Sequence, residues 1–155
     1  MVASRHRPPR LSRLFQGVRP FYFVTFTTYH RQRLLSRPEI HQTFREFALN
    51  ARSFNVAVGR YVLMPDHLHL FVALSDEGVS LISWAKALKS VISRRLQALG
   101  ETRPYWQEGF FDHVLRSDES YDQKWEYVRM NPVRAGQVSV PEEWPYQGEI
   151  VQIRF

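Results

Sequence analysis

The sequence predicts an α+β domain built on an antiparallel sheet, and three observations lead to that expectation. Aromatic and β-branched strand segments alternate with segments of helical periodicity in the order β-α-β-β-α-β. The chain has 155 residues, the size of one domain, with 44% hydrophobic residues including 11 Phe, 7 Tyr and 4 Trp to fill a core. No internal repeat or low-complexity stretch interrupts the pattern.

Residues 1–20 hold Pro8, Pro9, Gly17 and Pro20 without periodicity and read as an extended arm. Residues 21–29 (FYFVTFTTY) read as a strand. Ser36-Arg37-Pro38-Glu39 has capping-box spacing with proline in the permitted first turn, and Ile40, Phe44, Phe47 and Ala51 extend a helix over 38–53. Residues 55–63 follow as a strand, Met64-Pro65-Asp66 as a turn, and residues 67–74 as the strand that closes a hairpin. Leu81, Trp84, Leu88, Val91, Ile92 and Leu99 form the stripe of a second helix near 80–99. Lys86, Lys89, Ser93 and Arg94 fall on its other side as a small basic face. A strand near 110–116 precedes a third helix, capped by Ser117 and running from Asp118 to Asn131, where Pro132 stops it. The order is the ferredoxin-like pattern, two helices covering one face of the sheet, with an additional C-terminal helix. The expected division is an arm over 1–20, a domain over 21–135 and a wrapping tail over 136–155.

Composition narrows the function. Cysteine is absent, which excludes a disulfide scaffold, a thiol nucleophile and cysteine-ligated zinc modules. No apolar stretch approaches the roughly 18 residues of a membrane span and no signal-peptide pattern opens the chain, so a cytoplasmic protein is expected. The net charge is +6, and residues 1–38 hold eight arginines and no acid. The remaining 13 basic and 15 acidic residues leave the rest of the chain slightly acidic. Such an arm is either a solvated face or a polyanion grip, since arginine holds phosphate oxygens bidentately; nucleic acid suits it better than a membrane, because no amphipathic helix accompanies it.

His67 and His69 stand two apart on a strand, so both rings leave one face of the sheet, while Leu68, Leu70, Val72 and Leu74 point into the core. A paired imidazole on the uncovered face is what a divalent-metal site needs, although two half-buried structural histidines share the spacing. A histidine-triad hydrolase wants a third histidine where Phe71 stands, and a two-histidine phosphoesterase wants a second copy of the strand motif, which is missing. On the third helix Tyr127 and Asn131 are four apart, and Tyr121, Trp125 and Val128 form the seam that docks it. Two imidazoles and an amide oxygen give three ligands, with open positions for water and a phosphate oxygen that a nearby phenol could attack.

At these residues the sequence resembles a known family. Tyr61-Val62-Leu63-Met64-Pro65-Asp66-His67-Leu68-His69 looks like the HUH motif of single-tyrosine, IS200-like transposases. Trp106-Gln107-Glu108-Gly109-Phe110-Phe111-Asp112-His113 and Tyr127-Val128-Arg129-Met130-Asn131-Pro132-Val133-Arg134-Ala135-Gly136 resemble two further blocks of the REP-associated tyrosine transposases. The resemblance runs from Phe21 to Trp144, with Asp66 where asparagine is commoner and Asn131 where the wider family often has glutamine. It implies a metal-dependent strand transferase that cleaves and rejoins single-stranded DNA near hairpins through a 5′-phosphotyrosine link on Tyr127. His67, His69 and Asn131 would hold Mg²⁺ or Mn²⁺, and His113 is a candidate neighbour of the site. Arg5, Arg7, Arg10 and Arg13 of the arm, with Lys86, Lys89 and Arg94, would hold DNA. No nucleotide cofactor is required, in keeping with the absence of a phosphate-cradling glycine loop, and a monomer whose tyrosine acts in its own site is the expected form. The alternatives are a hairpin-binding protein without cleavage activity and a phosphohydrolase that uses water.

Overall fold

The computed structural model describes residues 21–75 and 78–154, so the arm, with the proposed DNA contacts Arg5, Arg7, Arg10 and Arg13, lies outside the described residues. Five strands form one sheet: β1 Phe21–Thr27, β2 Val56–Leu63, β3 His67–Leu74, β4 Phe111–Leu115 and β5 Gln147–Glu149, in spatial order β4-β1-β3-β2-β5. The helices are α1 Pro38–Asn50, α2 Leu81–Ala98, α3 Asp118–Val128 and the single turn α4 Asn131–Arg134. All four strand pairings among the described residues are antiparallel, and β4-β1-β3-β2 is the expected ferredoxin-like order.

Strict alternation along β1 and β3 divides the interior into two layers. Val24 and Phe26 of β1 and Leu68, Leu70 and Val72 of β3 point down onto Phe44 of α1 and Trp84, Leu88 and Ile92 of α2. Phe21 and Phe23 of β1 and Phe71 and Ala73 of β3 point the other way and meet Tyr121 and Val128 of α3 and Trp144 and Ile153 of the C-terminal segment. The second face is therefore covered over part of its area. Against the expectation of an open face, the last residues fold back as β5 on the β2 edge, and Trp144 Nε1 donates to the Leu63 carbonyl (2.9 Å).

Two helix ends differ from the sequence expectation. The N-cap of α1 is Arg37, without a side-chain capping bond, and not Ser36; the guanidinium of Arg37 reaches Glu101 instead (2.9 Å). Helix α3 does start at Asp118 under Ser117, whose hydroxyl accepts from the Ser120 N–H (3.0 Å), but it ends at Val128. Pro132 sits in the first turn of α4, where its missing N–H costs nothing, so it opens a new turn as well as ending the old one.

Helix α3 is anchored through a bulge in β2 between Val58 and Tyr61. There the Arg60 N–H donates to the Tyr121 hydroxyl (2.9 Å), and the Arg60 guanidinium lies 4.8 Å over the Tyr121 ring. Burial pushes the Tyr121 phenol well above its ordinary pKa, so it stays protonated. A Cβ at Gly59 would overlap the Tyr121 hydroxyl. Gly59→Ala should therefore lower the unfolding free energy by about 1–3 kcal/mol. Tyr121→Phe in the same chain should recover part of that loss in denaturant melts.

Candidate active site

The β1–β3 register sets Thr25 opposite His69 and Thr27 opposite His67, so all four side chains share the face on which α3 lies. The Thr25 hydroxyl is 2.8 Å from His69 Nδ1, and Asp66, in the hairpin turn, places Oδ1 2.8 Å from His67 Nδ1. Asp66 is itself held by Arg31, whose Nε donates to Oδ2 (2.9 Å). A proton on each Nδ1 satisfies both partners and leaves each Nε2 with its lone pair, and among the described residues no hydrogen bond is made to either Nε2. The rings lie edge to face with centroids 4.7 Å apart, and Phe23 stacks on His69 at 5.1 Å.

The electrostatics keep both rings neutral. Burial lowers the His69 pKa to about 3, helped by the positive charges of Lys124 and Arg134 and by His67. Burial also lowers His67, assisted by Arg31 and opposed by its bond to Asp66. Partial burial pushes Asp66 up, but its bonds to His67 and Arg31 outweigh that and hold it below the usual carboxylate value.

Tyr127 lies on the last turn of α3, 63% exposed, with the Arg134 guanidinium 4.1 Å over its ring. Arg134 Nη2 also donates to Asn131 Oδ1, so one guanidinium ties together the tyrosine and the amide. The expected single helix face for Tyr127 and Asn131 is replaced by a break between α3 and α4, and Arg134 bridges that break. Lys124, one turn before Tyr127, projects over Phe23 (4.8 Å) and so stands beside the ring that stacks on His69. A cleft of about 440 Å³ runs along α3 and β4, lined by Tyr127, Lys124, Gln123, Ser120, Arg116 and His113. His113, opposite Phe23 in the β1–β4 register, thus shares the face and the cleft with Tyr127.

The basic face of α2 divides. Lys86, Lys89 and Arg94 all line an open groove of about 710 Å³ with Arg103 and Trp106, but their roles differ. Lys89 is committed to the fold: its Nζ donates to the carbonyls of Gln107 and Gly109 (3.2 and 2.6 Å) and lies over Phe26 and Trp106. In the sequence Thr25 and Lys124 have no assigned role, and Arg31 and Arg134 figure only as one of eight clustered arginines and as part of a matching block. Thr25 had a retrievable signal, since a threonine across from an H-x-H strand can brace a ring; the others depend on contacts between distant segments.

Beyond geometry, the family model for Transposase IS200 like matches residues 20–130. The chain belongs to the IS200-like transposase family. Within that family it is similar to a Haemophilus influenzae protein assigned to the REP-associated tyrosine transposases, 24% identical over 137 residues that span 81% of this chain and 77% of the relative. The REP-associated tyrosine transposase of Escherichia coli K12 is 26% identical over 89 residues, 57% of this chain and 52% of that protein. The fold matches a solved REP-associated tyrosine transposase bound to a REP hairpin, with a TM-score of 0.68 and 23% identity over 84% of this chain and 77% of that one. In this IS200-like transposase His67, His69 and Tyr127 fall inside the matched region, while Asn131 and Arg134 lie just beyond it.

Thr25→Val keeps the shape but removes the partner of a nearly enclosed ring nitrogen, at a cost of about 1–3 kcal/mol. Imidazole ¹⁵N spectra should show His69 with its proton on Nδ1 in the parent protein and a mixture of tautomers in the variant.

Proposed function

We propose that this transposase cleaves and rejoins single-stranded DNA beside a hairpin, with Tyr127 as the nucleophile. The phenol oxygen attacks the scissile phosphorus, an oxygen–phosphorus bond forms on Tyr127, and the bond to the 3′ oxygen breaks. The products are a 5′-phosphotyrosine and a free 3′-hydroxyl. Attack by a 3′-hydroxyl on the phosphotyrosine reverses the step, so bond energy is conserved and no nucleotide is consumed. The observation that carries this reading is the pair of neutral imidazoles, each braced through Nδ1 and each with Nε2 uncommitted, on the face shared with an exposed tyrosine.

The donor set fits a divalent cation. Metal-bound histidines characteristically give the second nitrogen to a carboxylate or hydroxyl partner, as Asp66 and Thr25 provide here. His67 and His69 would hold Mg²⁺ or Mn²⁺ through Nε2. Asn131 is the third candidate, and its oxygen has first to be released by Arg134. Among the described residues no group of three His, Cys, Asp or Glu side chains gathers to hold an ion, so an amide or water oxygen would have to complete the set. Such an ion, when bound, neutralises charge on the scissile phosphate. Arg134, stacked on the nucleophile's ring, offers a planar pair of donors to a phosphate oxygen, and Lys124 adds a point charge beside His69. In this reading Tyr127 acts in the site of its own chain, and the stacking of Arg134 on its ring from the following turn supports that.

A single-stranded hairpin substrate incubated with Mn²⁺ should yield a denaturation-resistant protein–DNA adduct that chelation prevents. Tyr127→Phe should abolish the adduct and leave hairpin binding nearly unchanged; an adduct that persists moves the nucleophile elsewhere. A binder without cleavage activity and a hydrolase that uses water both leave no adduct.

Asp66→Ala should weaken Mn²⁺ binding by about 10- to 100-fold in calorimetric titration. Asp66→Asn, which keeps an acceptor oxygen for His67, should lose less.

A further inference from the structure

Beside the histidine pair lies a second cleft, of about 270 Å³, that the chemistry above does not use. Its lining is Thr25, Thr27, Gln107, Glu108, Gly109, Phe110 and Phe111. The floor is the pair of threonines opposite His69 and His67, so the cleft opens next to the imidazoles. Phe111, paired with Thr25 across β1 and β4, is 59% exposed on the same face of the sheet. Phe110 turns to the other side and packs on Phe26 (5.6 Å).

The loop that walls the cleft is rigidly mounted. The Gln107 N–H donates to the Thr27 carbonyl (2.9 Å), and Thr28 bridges to Trp106. Lys89 holds the carbonyls of Gln107 and Gly109, and Gly109 has the positive φ of 77° that the bend requires. Half-buried Lys89 is therefore what fixes this loop in place.

Size and chemistry decide what fits. The volume is below the ~300–1,000 Å³ of pockets for drug-sized ligands, which suits a single heterocycle. The clefts of about 710 and 440 Å³ are lined by cations and suit phosphates. This one has no lysine or arginine in its lining and carries a carboxylate, an amide, two hydroxyls and an exposed aromatic ring. A carboxylate repels phosphate but accepts from an exocyclic amino group, an amide pairs with a base edge, and a phenyl face stacks on any base. We infer that this cleft is a base-reading pocket that takes one unpaired nucleobase next to the cleaved phosphate, stacked on Phe111 and read at its edge by Gln107 and Glu108. The inference rests on the proposed cleavage site, because that site places the strand over the threonines.

The test uses the full chain, without divalent ion, and DNA hairpins carrying randomised single-stranded flanks, with the bound fraction sequenced. The parent protein should enrich one base at one flank position. Phe111→Ala should flatten that preference and weaken binding by about tenfold. Phe111→Trp should keep both, and Gln107→Ala should flatten the preference with a smaller loss of affinity. Because Phe111 and Gln107 are exposed, thermal unfolding should be unchanged, and the melting curves check this. A flank with no preferred base, or a preference that survives both alanine variants, overturns the pocket even where the tyrosine adduct forms. A preference lost in Phe111→Ala alongside a missing adduct supports the pocket and refutes the cleavage chemistry instead.

Discussion

The period of two along β3 is the constraint on which the rest depends. As the middle strand of five, β3 has side chains on both faces that must be accommodated. Leu68, Leu70 and Val72 are fully buried against the helices, so His67, His69 and Phe71 are forced to the other face. A slip of one residue would bury two imidazoles in the main core and expose the leucines, which would cost far more than a small domain can offset. The spacing of the two histidines is thus held by hydrophobic packing beneath them. Their orientation is held by Thr25 and Asp66 at their edges.

The same face also has to carry a helix, and the sheet solves this by dividing its area. Phe71 continues the row of the histidines and Phe21 and Phe23 that of Thr25 and Thr27, and the three form the apolar seat for Tyr121 and Val128. The seat ends where the imidazoles begin, so α3 is anchored at Tyr121 while Tyr127, nearly two turns on, is left exposed. Arg134 then links Tyr127 to Asn131 across the break before α4. Packing, the reach of one helix and a single guanidinium together bring residues from opposite ends of the domain to one surface. That surface belongs to a chain of the IS200-like transposase family.

Much of this was legible from the residues. Both strands of the central hairpin follow alternation or a continuous apolar run, and the observed β2 and β3 fall at or within one residue of the expected bounds. The seam of α3 and its Ser117 cap are local signals and were readable for the same reason. What escaped depends on distant contacts. Strand β5 has three residues and no alternation of its own, and it exists because the β2 edge offers unpaired backbone groups. Helical periodicity places Lys89 on the polar side of α2, but the loop through Trp106 folds over that side and captures its ammonium. Asp66 could be read as a tolerated substitution; that it braces His67 and is itself braced by Arg31 depends on how the turn packs against the residues after β1.

The central claim of the proposed function is that His67 and His69 bind one divalent cation together through their Nε2 atoms. Pulsed electron paramagnetic resonance on the protein loaded with Mn²⁺ tests it most directly, because imidazole nitrogens bound to the ion modulate the echo. The account predicts coupling to two nitrogens in the parent protein and to a single one in His69→Ala. An echo without nitrogen coupling, or one unchanged by that substitution, would contradict it.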